Sequence, residues 1–236
     1  VYVLHAGVKL IEEGLADFLY LSLTDYIQHA YAPDEPESLA FYQQLDEQIG
    51  KLLEHGAIVA TTADHGMNAK CDREGRPTVL YLELMLEERF GSGFRVICPI
   101  TDPYVVHHGA LGSAVTVHLP EGHIGDPQIR EVGDWIFALD GVTEVYTREL
   151  AAAKCELAPD RIGDLYVFSG RDVVLGRRPE HHDLSKLSRT LRSHGGRYEE
   201  MVPLLLSRPL SQDYAARAAG DPRNFDIFDF ACNGTV

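Results

Sequence analysis

Apolar positions along the chain follow two rhythms, and each change of rhythm marks a change of element. In "AGVKLIEEG" the spacing is that of the end of an amphipathic helix stopped at Gly14, and "ADFLYLSLTD" reads as a buried strand ending at Asp25. From Ser38 to Leu53 the residues Leu39, Tyr42, Leu45, Ile49 and Leu52 recur at steps of three or four, which predicts a helix, and "GAIVATTAD" follows as a short apolar strand. Two consecutive helix-strand units predict an α/β fold, a parallel sheet flanked by helices. In such sheets ligands bind beyond the carboxyl ends of the strands. Asp25 and the pair Asp64-His65 fall at those ends.

Further along, "TVLYLELMLEERFG" is helical or mixed and "FRVICPI" is a strand, before Pro99 and Pro103 break the pattern. "SAVTVHL" then reads as a strand, "DPQIREVGDWIFALD" as a helix with Asp126 at its N-cap and Pro127 in its first turn, and "VTEVYT" as another strand. "GDLYVFS" reads as a return to a core strand, and a polar stretch leads to the apolar "MVPLLLS". The expected organisation is a core α/β part over residues 1–100, a small inserted α+β cap over 101–163, and completion of the core over 164–236.

Charge narrows the partners. With 36 acidic against 21 basic residues the net charge is -15, which disfavours nucleic acid and anionic membrane surfaces, while a small anion remains compatible where a metal overrides the global field. Cys71, Cys98, Cys155 and Cys232 are scattered without clustered spacing, as expected of reduced thiols in a cytoplasmic protein. No apolar run approaches the length of a membrane span, and "VYVLHAGVKL" has no signal-peptide design. The chain opens on Val1 without an initiator Met, which leaves room for residues upstream.

Three short stretches carry candidate chemistry. In "TDYIQH", Asp25 and His29 stand four apart, so on a helical turn a carboxylate and an imidazole converge on one side; an N-cap Asp with an incidental His is the plain alternative. Asp64 and His65 share a neighbourhood only if the backbone turns at Gly66, and Asp and Gly are also ordinary turn residues. His194 precedes Gly195 and Gly196, which allow close folding around a site or simply form a loop. Other polar residues invite blander readings. His107-His108 reads as a structural pair, His181-His182 as solvated loop residues, Arg192 and Arg197 as surface arginines, and Glu199-Glu200 as a solvated face. Thr24, Thr61 and Thr62 are ordinary strand occupants.

The ordered set D-x3-H, then DHG after an apolar strand, then S-H-G-G ahead of an apolar strand resembles the metal signature of the alkaline phosphatase superfamily. The phrases "LSLTDYIQHAYAP", "TADHGM", "PITDPYVVHHGALGS", "RIGDL" and "LRSHGG" resemble its phosphonoacetate hydrolase family along essentially the whole chain. The resemblance implies two zinc ions, one held by Asp25, His29 and His194, the other held in part by Asp64 and His65. It also implies a threonine nucleophile on an N-terminal segment with no counterpart in these residues, so that the chain is expected to be a carboxyl-terminal part. The implied reaction cleaves the carbon-phosphorus bond of a small phosphonate, phosphonoacetate, to acetate and phosphate, in a protein that could be a homodimer. A phosphodiesterase or nucleotide pyrophosphatase of the same superfamily, and an inactive metal-binding remnant, are the alternatives.

Overall fold

In a computed structural model the described residues are 1–100, 110–120, 126–187 and 189–236. His107 and His108 lie outside them. The chain divides into two compact units, one formed by Val1–Gly66 with Met201–Val236, the other by Met67–Glu200.

In the first unit, helices Tyr2–Glu12 and Pro36–Glu54 pack on one another. Tyr2–Glu12 buries Leu4, Gly7 and Val8, and keeps Lys9 outside in ion pairs with Glu12 and Glu13. Gly14 follows at φ +65, the left-handed conformation that ends a helix cheaply only for glycine. Pro36 opens the second helix where its missing N–H is not needed. Its packed face is rotated from the expected stripe: Ser38, Gln48 and Leu52 are buried, whereas Leu39 and Tyr42 face solvent.

The segment expected to be the first buried strand, Ala16 to Asp25, has no ladder partner among the described residues, and Phe18 and Tyr20 are largely exposed. An extended chain becomes a strand only when a neighbour takes its N–H and C=O groups. It does pack against the first helix, where a Cβ on Gly7 would stand 2.6 Å from Leu21 Cδ1. The second expected strand is the three-residue Ala60–Thr62, paired antiparallel with Leu204–Leu206.

The second unit is built on a four-stranded antiparallel sheet in the order Arg95–Ile97, Ala114–His118, Leu165–Ser169, Val142–Thr147. The strands expected in the insert therefore share a sheet with the one expected to re-enter the core. Ala114–His118 is buried on both faces until its last residue, as an apolar run at a sheet centre should be. Helix Asp126–Phe137 lays Val132 and Ile136 against Val115, Val117, Leu165 and Val167, and Leu82 and Leu86 of helix Leu82–Phe90 complete the same core. Val79–Tyr81 and Val174–Gly176 form a parallel pair, and Asn68–Ala69 pairs antiparallel with Arg192–Ser193. The α/β class stands, with parallel pairing in one ladder and antiparallel pairing in the others described.

Several polar residues read as solvated are packed inside this unit. His182 is only 4% exposed, stacks on Tyr81, and accepts a hydrogen bond from the Arg177 N–H at Nε2 over 2.9 Å, while His181 beside it is exposed. Glu199 is buried against Lys70. Arg192 is buried in its strand, and Arg197 lies over the Phe168 ring while pairing with Glu144 and Glu200. For Glu199 and Arg197 the partners Lys70 and Glu144 are distant in sequence, which local composition does not reveal.

Candidate metal centre

Asp25 stands at the N-cap position of the one-turn helix Tyr26–Ala30, where an aspartate normally accepts an N–H from that turn. It makes no such capping bond. Its Oδ2 lies 3.1 Å from His29 Nε2 instead, the pairing expected of i and i+4 on one helical face. The His29 side chain is 3% exposed, so its ring is fixed by packing as well as by the carboxylate.

Gly66 follows Asp64 and His65 beyond the short strand Ala60–Thr62. His65 Nε2 comes within 3.9 Å of Asp25 Oδ2 and 3.7 Å of Asp64 Oδ2. The adjacent side chains share a neighbourhood because the chain leaves the strand directly before them. Asn224 steadies that departure by donating to the Ala63 carbonyl over 3.3 Å. Asp64 is 86% exposed, and its Oδ1 accepts the His65 N–H.

The His65 ring also lies with Nδ1 3.0 Å from the Gly66 carbonyl oxygen. A carbonyl only accepts, so Nδ1 donates in this contact, and Nε2 is the ring nitrogen on the side of Asp25 and Asp64. Two ligands about 2 Å from a tetrahedral zinc are ~3.3 Å apart. The 3.1 Å between Asp25 and His29, expected on one ion, and the 3.7 Å between Asp64 and His65, expected on the other, lie on either side of that value, and imidazole nitrogen with carboxylate oxygen is a donor set that suits zinc. The residues present therefore fit such an ion. Backbone capture of Nδ1 is the usual way a metal-binding histidine is oriented.

The fifth expected ligand, His194, belongs to the second unit. It follows strand Arg192–Ser193, its carbonyl accepts the Ser113 N–H over 2.9 Å, and Gly195 turns away at φ +96. Gly196 lies so close to Ser113 that a Cβ would stand 2.6 Å from the serine Cβ. The Gly196 N–H donates to Glu199 Oε2 over 2.9 Å. The other oxygen, Oε1, accepts from Lys70 Nζ at 2.9 Å and Asn68 Nδ2 at 2.6 Å, and Lys70 also donates to the Arg171 carbonyl. Burial pushes the Lys70 ammonium below its usual pKa, and Glu199 pulls the other way. No signal in "MNAKCD" distinguishes this lysine from a surface one; the reading of the sequence missed it.

Thr24, Thr61 and Thr62 occupy the end of the extended segment and the short strand, as ordinary backbone positions. Cys98 is buried and its thiol pushed up to about 11 by desolvation, while all four cysteines are free.

The carboxylate-imidazole cluster beyond a short strand is a donor set of the kind that holds a divalent metal. The type I phosphodiesterase / nucleotide pyrophosphatase family matches residues 17–197, and the chain belongs to it. The fold is of the alkaline phosphatase superfamily kind. Phosphonoacetate hydrolase from Sinorhizobium meliloti 1021, solved with phosphonoformate and with phosphonoacetate, is similar at 42% identity and a TM-score of 0.88. The match covers 100% of this chain and 55% of that one, so the chain spans about half the length of that relative. Murine ectonucleotide pyrophosphatase / phosphodiesterase 5 shares the fold at 20% identity and a TM-score of 0.57, over 88% of this chain and 52% of its own.

Proposed function

We propose that these residues belong to a hydrolase that cleaves the carbon-phosphorus bond of phosphonoacetate, and that they supply metal ligands of its active site. The observation that carries the metal part is the His65 ring, held at Nδ1 by Gly66 with Nε2 3.9 and 3.7 Å from oxygens of two carboxylates. The similarity at 42% identity to a phosphonoacetate hydrolase supports the substrate. On this reading Asp25, His29 and His194 hold one zinc, Asp64 and His65 help hold a second, and the attacking threonine lies outside residues 1–236.

Bound zinc would supply a Lewis acid that favours an ionised nucleophile and stabilises developing negative charge. The chain's own contribution is placement. Asp25 binds as an anion and orients His29, whose burial excludes water from one side, and the Gly66 carbonyl keeps the His65 proton on Nδ1 so that Nε2 remains a ligand. The overall change adds water across the bond: phosphorus gains an oxygen and leaves as phosphate, while the released CH2 carbon takes a proton and leaves as acetate. The departing carbanion is tolerable because its charge spreads into the neighbouring carboxylate as an enolate, next to cationic charge. The cytoplasm is the proposed setting, supported by free cysteines; among the described residues no helix is long and apolar enough to cross a membrane.

A second reading, hydrolysis of a phosphate diester, is favoured by the family match over residues 17–197. The test is release of acetate and phosphate from phosphonoacetate with zinc supplied, run beside an aryl phosphate diester, on this chain and on the natural gene product containing it. Release of both products by the gene product supports the proposal. Diester hydrolysis without phosphonoacetate cleavage sinks the substrate assignment in favour of the second reading, and inactivity of both preparations towards both substrates leaves an inactive metal-binding protein.

A further inference from the structure

We propose that Glu199 is a positioning residue for His194, holding the S-H-G-G loop through one carboxylate oxygen while Lys70 and Asn68 anchor the other. The inference rests on the reading of His194 as a zinc ligand.

The backbone before His194 is fixed by pairing, with Ser193 opposite Asn68 and the Lys70 N–H bonded to the Leu191 carbonyl over 2.8 Å. At His194 itself the carbonyl is held by Ser113. After it, Gly195 adopts a left-handed conformation that other residues rarely take, and the next contact on the loop is made at Gly196. Glu199 provides the contact through the Gly196 N–H and returns its own N–H to the Gly196 carbonyl at 3.2 Å. Lys70 is fully buried and Glu199 is 2% exposed. A buried ion pair is weak evidence for stability, since well-packed apolar residues of the same volume often do as well. What apolar residues could not do is accept from the loop and from the paired strand at once.

Glu199→Gln tests this directly. A carboxylate accepts on both oxygens, but an amide must turn its NH2 group either on the Gly196 N–H or on Lys70 and Asn68, donor against donor. Zinc affinity is measured by competition with a chromophoric chelator for the 236-residue chain, Glu199→Gln, His194→Ala and the double variant, with metal-free folding followed by circular dichroism. Glu199→Gln is expected to weaken zinc binding by about 10- to 100-fold, and to have little further effect once His194 is alanine. Asn68→Ala, which removes one anchor of the same carboxylate, is expected to show a smaller loss with the same dependence on His194, and carries the cycle should Glu199→Gln not fold. Equal losses with and without His194, or no loss, overturn the positioning role and leave the ligand reading intact. Unchanged affinity in His194→Ala overturns the ligand reading and this inference with it.

Discussion

At Asp25 a residue type with two common uses, helix capping and metal binding, sits where either use is open. The sequence poses the choice, and the side chain turns from the cap towards His29 and His65. Asp25→Asn preserves shape while removing the charge and one acceptor, so zinc affinity is expected to fall by about 100-fold with the melting temperature of the metal-free chain little changed; chelator competition and a thermal melt check both. An affinity within threefold of the parent would remove Asp25 from the ligand set. Glu199 and His182 show the limit of residue-scale reading. Both stand in polar stretches, and both are buried by partners far away in sequence, Lys70 in one case and the Tyr81 ring in the other.

Elements were legible where periodicity ran long. Pro36–Glu54 and Asp126–Phe137 follow from their apolar spacing, and Ala114–His118 from an unbroken buried run. The segment before Asp25 was not, because the same run of apolar residues serves an extended chain with or without a ladder. Two glycines give opposite expectations at this scale. A Cβ on Gly163 would stand 2.4 Å from the Val117 carbonyl oxygen, in a backbone held by the 2.9 Å bond from the Gly163 N–H to Thr116 Oγ1, so Gly163→Ala should cost about 3 kcal/mol. Gly133, inside helix Asp126–Phe137, would bring its Cβ only to ordinary contact with Leu165, so Gly133→Ala should stabilise by about 0.5–1 kcal/mol. Urea denaturation of the two variants beside the parent decides the pair; a stabilising Gly163→Ala would contradict the close approach of Gly163 to Val117.

Across the whole molecule the acidic balance of the chain makes stability sensitive to low pH wherever a carboxylate has buried partners. Glu83 is the clearest case. Burial would raise its pKa, but the Val96 N–H and the Arg177 and Arg178 guanidiniums outweigh that and hold it below the usual carboxylate range. A depressed folded-state pKa means that the contribution is present above the unfolded value of about 4.3 and is lost as pH falls through the folded value. The parent and Glu83→Gln should therefore differ most in denaturant midpoint near neutral pH and converge as pH falls through the folded value. Parallel curves across that range would contradict the assignment.

The sequence alone determined which candidate ligand types are present and their order, because aspartate and histidine at helical spacing and a DHG stretch are local chemistry written in neighbouring residues. It also determined the helices of long apolar spacing, Pro36–Glu54 and Asp126–Phe137, and the central strand, since their apolar patterns are local. Only the tertiary structure decided that the Nε2 of His65 faces two carboxylates, that the segment before Asp25 forms no ladder among the described residues, and that Lys70 and Glu199 are buried together. Each of those depends on groups brought close by folding from separate parts of the chain, and the energy of a buried charge or an unpaired strand is set by what stands beside it.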